Sequence, residues 1–279
     1  MTHSQHAPLG SASRFFYEIQ EGSRRQANVI FALIFKEMKT KSGADGYGLI
    51  SMIGALFEST LTVLALWAFW YLARRQEISG VSVGLFLSVS YIPFAMVRRS
   101  LSSVPKAMQG GRAFYAFPGV KPIDTILARF ILELALTIIG GAMLLFILAW
   151  VFGDYVRTDK LFQGLLIFVA IIALALGQSL FVGVYGTKFP MIFKFIQLIS
   201  RGIFILSAVM HPMNELPPET QAIIAWNPVA NYLELIRYYL LGLKPYQDVS
   251  LNYAMAYTVF ILFLGFAGYW VNRIKVLER

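Results

Sequence analysis

Apolar residues gather into six long runs along this chain, separated by shorter polar and basic stretches. A helix that crosses a bilayer needs ~20 mostly apolar residues at ~1.5 Å rise each. Residues 49–72 meet that length with one charge, Glu58, and residues 130–152 with one, Glu133. Residues 161–185 and 253–271 hold no charge. Residues 81–97 are shorter and contain Pro93, which predicts a kinked entry, and residues 189–210 are interrupted by Lys194 and Arg201. The pattern predicts an all-α integral membrane protein with six transmembrane helices. Residues 14–279 are expected to form one transmembrane domain behind a polar tail, residues 1–13, expected to be disordered and cytoplasmic.

Two stretches outside the runs have patterns of their own. From Arg14 to Thr40, Phe15, Phe16, Ile19, Val29, Ile30, Leu33 and Ile34 recur among basic residues, a spacing that predicts an amphipathic helix lying at the lipid headgroups. A soluble N-terminal helix fits less well, because the basic residues crowd close to the first run. Between the fifth and sixth runs, Pro212, Pro217 and Pro218 break any continuing helix. Asn227-Pro228 then reads as an N-cap with proline at the first helical position, and Gly242 as the residue that ends the helix. Pro228 to Leu241 would be only ~21 Å long, too short to span, so it is expected to re-enter the outer leaflet or line a cavity. Glu234 and Arg237, three apart, can pair there.

Composition narrows the class. Only 14% of the 279 residues are charged, 57% are hydrophobic and mean hydropathy is +0.63, whereas a soluble domain carries about a quarter charged residues. The net charge is +9, and its distribution sets the orientation. Eighteen of the 24 Lys and Arg residues fall before residue 49, between 98 and 129, between 188 and 201, or after 271. The positive-inside rule then puts both termini in the cytoplasm.

Several chemistries are excluded or weak. The chain has no cysteine, three histidines, no phosphate-binding G-x-x-x-x-G-K-[ST] loop and no H-E-x-x-H. Gly177-Gln178-Ser179 with His211 leaves an intramembrane serine hydrolase as an alternative, although small residues in such helices mostly serve close packing. A secondary transporter would carry more ionisable groups at depth than Glu58 and Glu133, often with internal repeats.

Two segments carry candidate functional residues. Arg98 to Gly111, RRSLSSVPKAMQGG, predicts a short basic helix broken by Pro105 and ended by Gly110-Gly111. It suits either a lever for a soluble partner or an ordinary basic loop held on anionic lipid. Further on, Asp124 can cap the third span with Pro122 before it, and Arg129 and Glu133, four apart, can pair just inside the membrane. That pair is either structural or the entrance of a polar path.

Three stretches resemble one family: ALIFKEMKTKSGADGYGLI (32–50), VKPIDTILARFILE (120–133) and WNPVANYLELIRYYLLG (226–242). The chain resembles the permease subunits of bacterial capsular polysaccharide exporters, the KpsM-type branch of the type 2 ABC exporters. It departs from them at Lys36 and Lys41, where arginines are expected, and at Phe117-Pro118-Gly119, where a more basic sequence is expected. The resemblance implies a non-catalytic, homodimeric subunit of the bacterial inner membrane, without cofactor, joined to two copies of a separate ATPase that binds ATP and Mg. The cargo it implies is a polysaccharide, usually acidic and lipid-linked, passed to periplasmic and outer-membrane export proteins; nucleic acid is not a partner.

By the same resemblance the loop 97–124 holds the helix that couples to the ATPase, with Arg98, Arg99, Ser102, Lys106 and Met108 as contacts. A sugar chain presents hydroxyls and flat CH faces, so aromatic and basic residues suit its path: Lys39, Lys41, Trp67, Trp70, Tyr71, Lys121, Arg129, Tyr232 and Tyr238. An aromatic belt and the positive-inside rule account for the same residues. A permease for another cargo, such as O-antigen, teichoic acid or a drug, and a scaffold without transport remain as alternatives. Ser179→Ala separates the hydrolase from these, since it abolishes activity there and leaves a transporter nearly intact.

Overall fold

The apolar runs all fold as helices, and the polar residues at their ends decide where each begins. The computed structural model describes residues 11–41, 48–73 and 76–277. In chain order these form α1 (Ser11–Lys41), α2 (Gly48–Leu72), β1 (Glu77–Ile78), β2 (Val81–Ser82), α3 (Val83–Ser102), α4 (Lys106–Gly110), α5 (Pro122–Ile147), α6 (Leu161–Lys188), α7 (Pro190–Leu206), α8 (Pro218–Ala225), α9 (Pro228–Leu241) and α10 (Leu251–Leu277). α1 begins three residues inside the stretch read as a disordered tail; residues 1–10 of that tail lie outside the described residues.

α3 is the centre of the molecule. Every residue from Val83 to Val97 is buried, as expected of a helix that is apolar all round and packed on all sides. Around it stand α2, α5, α6, α7 and α9, while α10 lies along α6 and α1 along α5. A short antiparallel hairpin introduces it, Glu77 opposite Ser82 and Ile78 opposite Val81. Its two-residue turn, Ser79-Gly80, has φ of 51° and 78°, the left-handed pair that such tight hairpins need. Ser82 Oγ then accepts from the Leu85 amide at 3.3 Å and starts the helix.

Several boundaries differ from the sequence expectation: α5 begins at Pro122 and not at residue 130, α10 runs on to Leu277, and two further differences bear on the site. The second run was read as ending at Val97, with Arg98 opening a separate basic helix. Instead α3 continues to Ser102, so Arg98 and Arg99 belong to its last turns, and only Lys106–Gly110 beyond Pro105 forms a separate helix, α4. The fifth run was read to Met210, but α7 stops at Leu206 and Ala208 takes a φ of 50°. The cause is tertiary: the carbonyls of Ala208 and Val209 turn away from any helix to accept from Arg237.

Elsewhere local chemistry is sufficient. α5 opens with Pro122 at its first position, and the Lys121 amide donates to Asp124 Oδ2 at 2.9 Å. α9 occupies the residues the sequence assigned to it, with Asn227 Oδ1 accepting from the Val229 amide at 2.9 Å and Gly242 at a φ of 76°. Among the described residues, three helical stretches are long and apolar enough to cross a bilayer: Pro122–Phe152, Leu161–Lys188 and Leu251–Arg273.

α6 and α10 make the most extensive helix contact, and glycine permits it. A Cβ on Gly177 would lie 2.8 Å from the Leu262 amide nitrogen, and one on Gly265 would lie 2.9 Å from the Gly177 carbonyl. Such close backbone approach is how apolar helices associate without a hydrophobic driving force. Gly265→Val should therefore cost about 1–3 kcal/mol of overpacking and lower the melting temperature in detergent. Gly54→Val, where nothing lies within 4 Å of an added Cβ, should leave it unchanged.

Candidate functional site

Ten polar side chains from four helices meet where α3 ends and α5 begins, and their charges alternate. Lys36 Nζ on α1 donates to Glu37 Oε1 at 2.9 Å, and Glu37 in turn accepts from Arg129 of α5. Arg129 Nε lies 3.7 Å from Glu133 Oε1, and Glu133 Oε2 lies 3.8 Å from Arg99 Nε of α3. Arg99 Nη2 donates to Glu58 Oε2 of α2 at 3.1 Å, and Arg98 Nη2 to Glu58 Oε1 at 3.0 Å. Hydroxyls complete the set: Arg99 Nη1 donates to Thr137 Oγ1 at 2.7 Å, Arg99 Nη2 to Ser59 Oγ at 3.4 Å, and Ser103 Oγ to Glu133 Oε1 at 3.2 Å.

Burial grades along this chain of charges. Glu133 and Arg99 are 2% and 7% exposed as side chains, whereas Glu58 and Arg98 are 47% and 36% exposed. Deleting one partner of a buried pair strands the other charge in a low dielectric, at about 3–5 kcal/mol. Arg99 therefore ties α3 to both α2 and α5. Beside α5, burial pushes the Glu37 carboxyl up, but hydrogen bonds from Lys36 and Arg129 outweigh it and hold the group below the usual carboxylate range. Gln26 Nε2 adds a second tie from α1, donating to Asp124 Oδ1 at 2.9 Å.

The network forms one wall of a cavity of about 620 Å³, lined also by Thr62, Leu66, Tyr91, Ser102, Ser200 and Phe204. Among the residues read as coupling contacts, Arg98, Arg99 and Ser102 line this cavity and so face the bundle. Met108 is fully buried against Ile126 and Val184, and only Lys106 of the set is exposed. The surface around the end of α4 includes Gln109, Arg112, Ala116 and Phe117, the last 61% exposed. Tyr115 pins that turn: its hydroxyl donates to the Met108 carbonyl at 2.7 Å, and burial pushes its pKa up to about 12.

The residues read as a substrate path do not converge. Among those whose side chains are described, Arg129 alone lines the cavity. Tyr232 is fully buried, its hydroxyl 2.8 Å from Thr258 Oγ1 on α10. Trp70 packs its edge on His211 and Trp67 on Phe152, while Tyr71 is exposed. Lys160 Nζ donates to the Tyr238 hydroxyl at 3.0 Å. Lys39 is exposed at the end of α1, the Lys41 side chain lies outside the described residues, and Lys121 borders a separate cavity of about 360 Å³ with Tyr269 and Arg273.

At the other end of the bundle, Glu234 and Arg237 are 3% and 1% exposed and 2.9 Å apart. Arg237 also donates to Ser90 Oγ at 2.8 Å and to the Ala208, Val209 and His211 carbonyls, and lies over the Phe86 ring. Glu234 accepts from the Met213 amide at 3.0 Å. The bonds from this pair to Ser90, Met213 and the three carbonyls hold α9 to α3 and to the chain leaving α7. Ser179, the candidate nucleophile, donates to the Ala175 and Ser100 carbonyls at 2.8 and 3.2 Å. It thereby links α6 to α3, while His211 makes an edge-to-face contact with Trp70. No cluster of His, Cys, Asp or Glu able to hold a metal occurs among the described residues.

Comparison with known proteins gives one consistent picture. The profile of the family described as ABC-2 type transporter matches residues 28–241. The chain is 28% identical over 250 residues to an Escherichia coli protein named polysialic acid transport protein KpsM, covering 90% of this chain and 95% of that one. It is 24% identical over 244 residues to the capsule polysaccharide export inner-membrane protein CtrC of Neisseria meningitidis serogroup A, covering 87% and 90%. Similarity to a Haemophilus influenzae protein, capsule polysaccharide export inner-membrane protein BexB, is 24% over 242 residues, covering 86% and 89%.

The α1 attachment is open to test. Glu37→Gln should raise hydrogen–deuterium exchange through residues 17–39, whereas Glu21→Gln, whose pair with Arg25 is exposed, should not. Because the Glu37 pKa is depressed by folding, its contribution is present above the unfolded carboxylate pKa and lost as pH falls through the folded one. Acidification should therefore loosen α1 in the native protein and have little further effect in Glu37→Gln.

Proposed function

The chain belongs to the ABC-2 type transporter family, and we propose that it is the membrane-spanning subunit of an ATP-driven exporter carrying capsular polysaccharide from cytoplasm to periplasm. The observation that carries this reading is similarity over about nine-tenths of the chain to proteins named for polysialic acid and capsule polysaccharide export. The chain has no phosphate-binding loop, so ATP and Mg are assigned to a separate ATPase, two copies to each homodimer of this chain. In this reading α2, α3, α5, α6, α7 and α10 are six spans of the bacterial inner membrane, and α8 and α9 re-enter from the outer side. Both termini are cytoplasmic, α1 lies along the inner headgroups, and periplasmic and outer-membrane export proteins receive the polymer.

The geometry supports a lever from the ATPase to the inner cavity. Lys106 and Gln109 on α4, with Arg112 and Phe117 beyond it, are exposed and form the docking surface. Behind them Val104 and Met108 are buried among Ile126, Phe130, Leu180 and Val184. A push on α4 is therefore delivered to α5 and α6, and α3, which ends three residues before α4, carries it to Arg99. Packed side chains transmit such a displacement because dense cores deform little. The cavity that receives it has arginines and hydroxyls on one wall and aromatic Tyr91 and Phe204 on others, which suits an anionic sugar with apolar faces.

Gentle solubilisation from native membranes should co-purify a soluble protein bearing a phosphate-loop motif. Phe117→Asp with Arg112→Glu should cut its recovery at least tenfold, as loss of an interface anchor worth ~2 kcal/mol requires, and surface capsule should fall with it. Repeated recovery of this chain with no ATPase, under conditions that keep other transporters whole, would falsify the reading.

A further inference from the structure

The inner cavity carries donors in excess of acceptors, and its charges do not cancel. Three arginines (98, 99 and 129) and two glutamates (58 and 133) line it, one net positive charge among the described residues. Lys36 and Glu37 behind Arg129 cancel each other. Two buried donors on residues that line it lack a hydrogen-bond acceptor among the described residues: the Tyr91 hydroxyl and Arg129 Nε, the latter 3.7 Å from Glu133. Tyr91 is 1% exposed, so its hydroxyl has lost water without gaining a partner, which is costly. One class of molecule answers both imbalances: an oxyanion of single charge.

The most exposed carboxylate marks where such a group would bind. Glu133 and Glu37 are deeply buried, but Glu58 is 47% exposed and bridges the two adjacent guanidiniums of Arg98 and Arg99 at 3.0 and 3.1 Å. We propose that the cavity is an anion-binding site in which a carboxylate or phosphate oxyanion displaces Glu58 from Arg98 and Arg99 and accepts from Tyr91. Arg99 keeps Glu133 and Thr137 during the exchange, so the helices stay joined while Glu58, on α2, is released. Occupancy thus loosens α2 from α3, which couples cargo arrival to a change in the bundle. At about 620 Å³ the cavity lies within the range of ligand sites. This inference rests on the exporter reading for the identity of the ligand, either a sugar carboxylate of the polymer or the phosphate of a lipid end.

The test is equilibrium binding to the purified full chain in nanodiscs of zwitterionic lipid, with no ATPase present. The probes are tetragalacturonate, its neutral methyl ester and short-chain phosphatidylglycerol. At least one anionic probe should bind, and the methyl ester at least tenfold more weakly than the acid if the sugar is the source. Glu58→Gln, which removes the competing carboxylate, should tighten binding several-fold; Arg98→Gln should weaken it at least tenfold. Tyr91→Phe should weaken binding while leaving or raising the melting temperature, a combination that a packing role would not give. Galacturonate binding alone assigns the site to the polymer, and phosphatidylglycerol binding alone to a lipid end. Binding of neither, or binding indifferent to Glu58→Gln in a protein of unchanged melting temperature, overturns the proposal. Anion binding without a co-purifying ATPase would retain the site and remove the exporter; an ATPase without anion binding would do the reverse.

Discussion

Arg99 is a permanently charged group, 7% exposed, at the end of a helix otherwise buried in apolar side chains. Its guanidinium can stay there only if carboxylates come to it, because an isolated charge in a low dielectric costs far more than a packed core returns. Glu58 comes from α2 and Glu133 from α5, and Glu133 is shared with Arg129, which binds Glu37 of α1. The relative positions of four helices thus follow from one requirement. Arg237 imposes the same condition at the other end, where Glu234, Ser90 and three carbonyls converge on it. Between these two polar knots dispersion and small-residue contact hold the bundle, joined by single hydrogen bonds such as Ser179 to the Ser100 carbonyl and Tyr232 to Thr258.

The two knots differ in what they leave available. The one around Arg237 is nearly closed, with Glu234, Ser90, Ala208 and Val209 buried and His211 half-buried, and it holds α9 against α3. Around Arg99 the network grades outward to half-exposed Glu58 and Arg98 and opens on a cavity. A closed cluster adds rigidity; a graded one can exchange partners at its open end. The apolar wedge of Val104 and Met108 lies next to that open end, so force on α4 and charge in the cavity meet on the same helices.

Much of this was legible where the determinants are local. Asn227-Pro228 and Gly242 bracket α9, Pro122 and Asp124 begin α5, and the uncharged runs become α6 and α10, because caps, prolines and hydropathy act within a few residues. The i,i+3 and i,i+4 spacings of Glu234 with Arg237 and Arg129 with Glu133 could be read in the same way. Arg99 with Glu58 could not, since 41 residues separate them and no periodicity links two helices. Beside a positive-inside loop, Arg98 and Arg99 read as outward-facing; the extra turn of α3 puts both on the cavity wall and buries Arg99 in the bundle. Phe117 stood out in the sequence only as part of a departure from a more basic pattern, and in the fold it is exposed beyond α4. The early end of α7 was equally hidden, because carbonyls are taken by an arginine that follows 29 residues after Ala208.

The chain has no cysteine, which makes the most direct measurement a clean one. Ser102→Cys places a thiol on the cavity wall, Ser179→Cys one in the buried α3–α6 contact, and Phe117→Cys one on the exposed surface. Inside-out and right-side-out vesicles would be treated with membrane-impermeant methanethiosulfonates of opposite charge. A cytoplasm-facing, electropositive cavity predicts that Ser102→Cys reacts only in inside-out vesicles, and faster with the sulfonate than the ammonium reagent relative to Phe117→Cys, while Ser179→Cys stays inert. Reaction of Ser102→Cys from the periplasmic side, or a preference for the cationic reagent, would contradict the account at its centre.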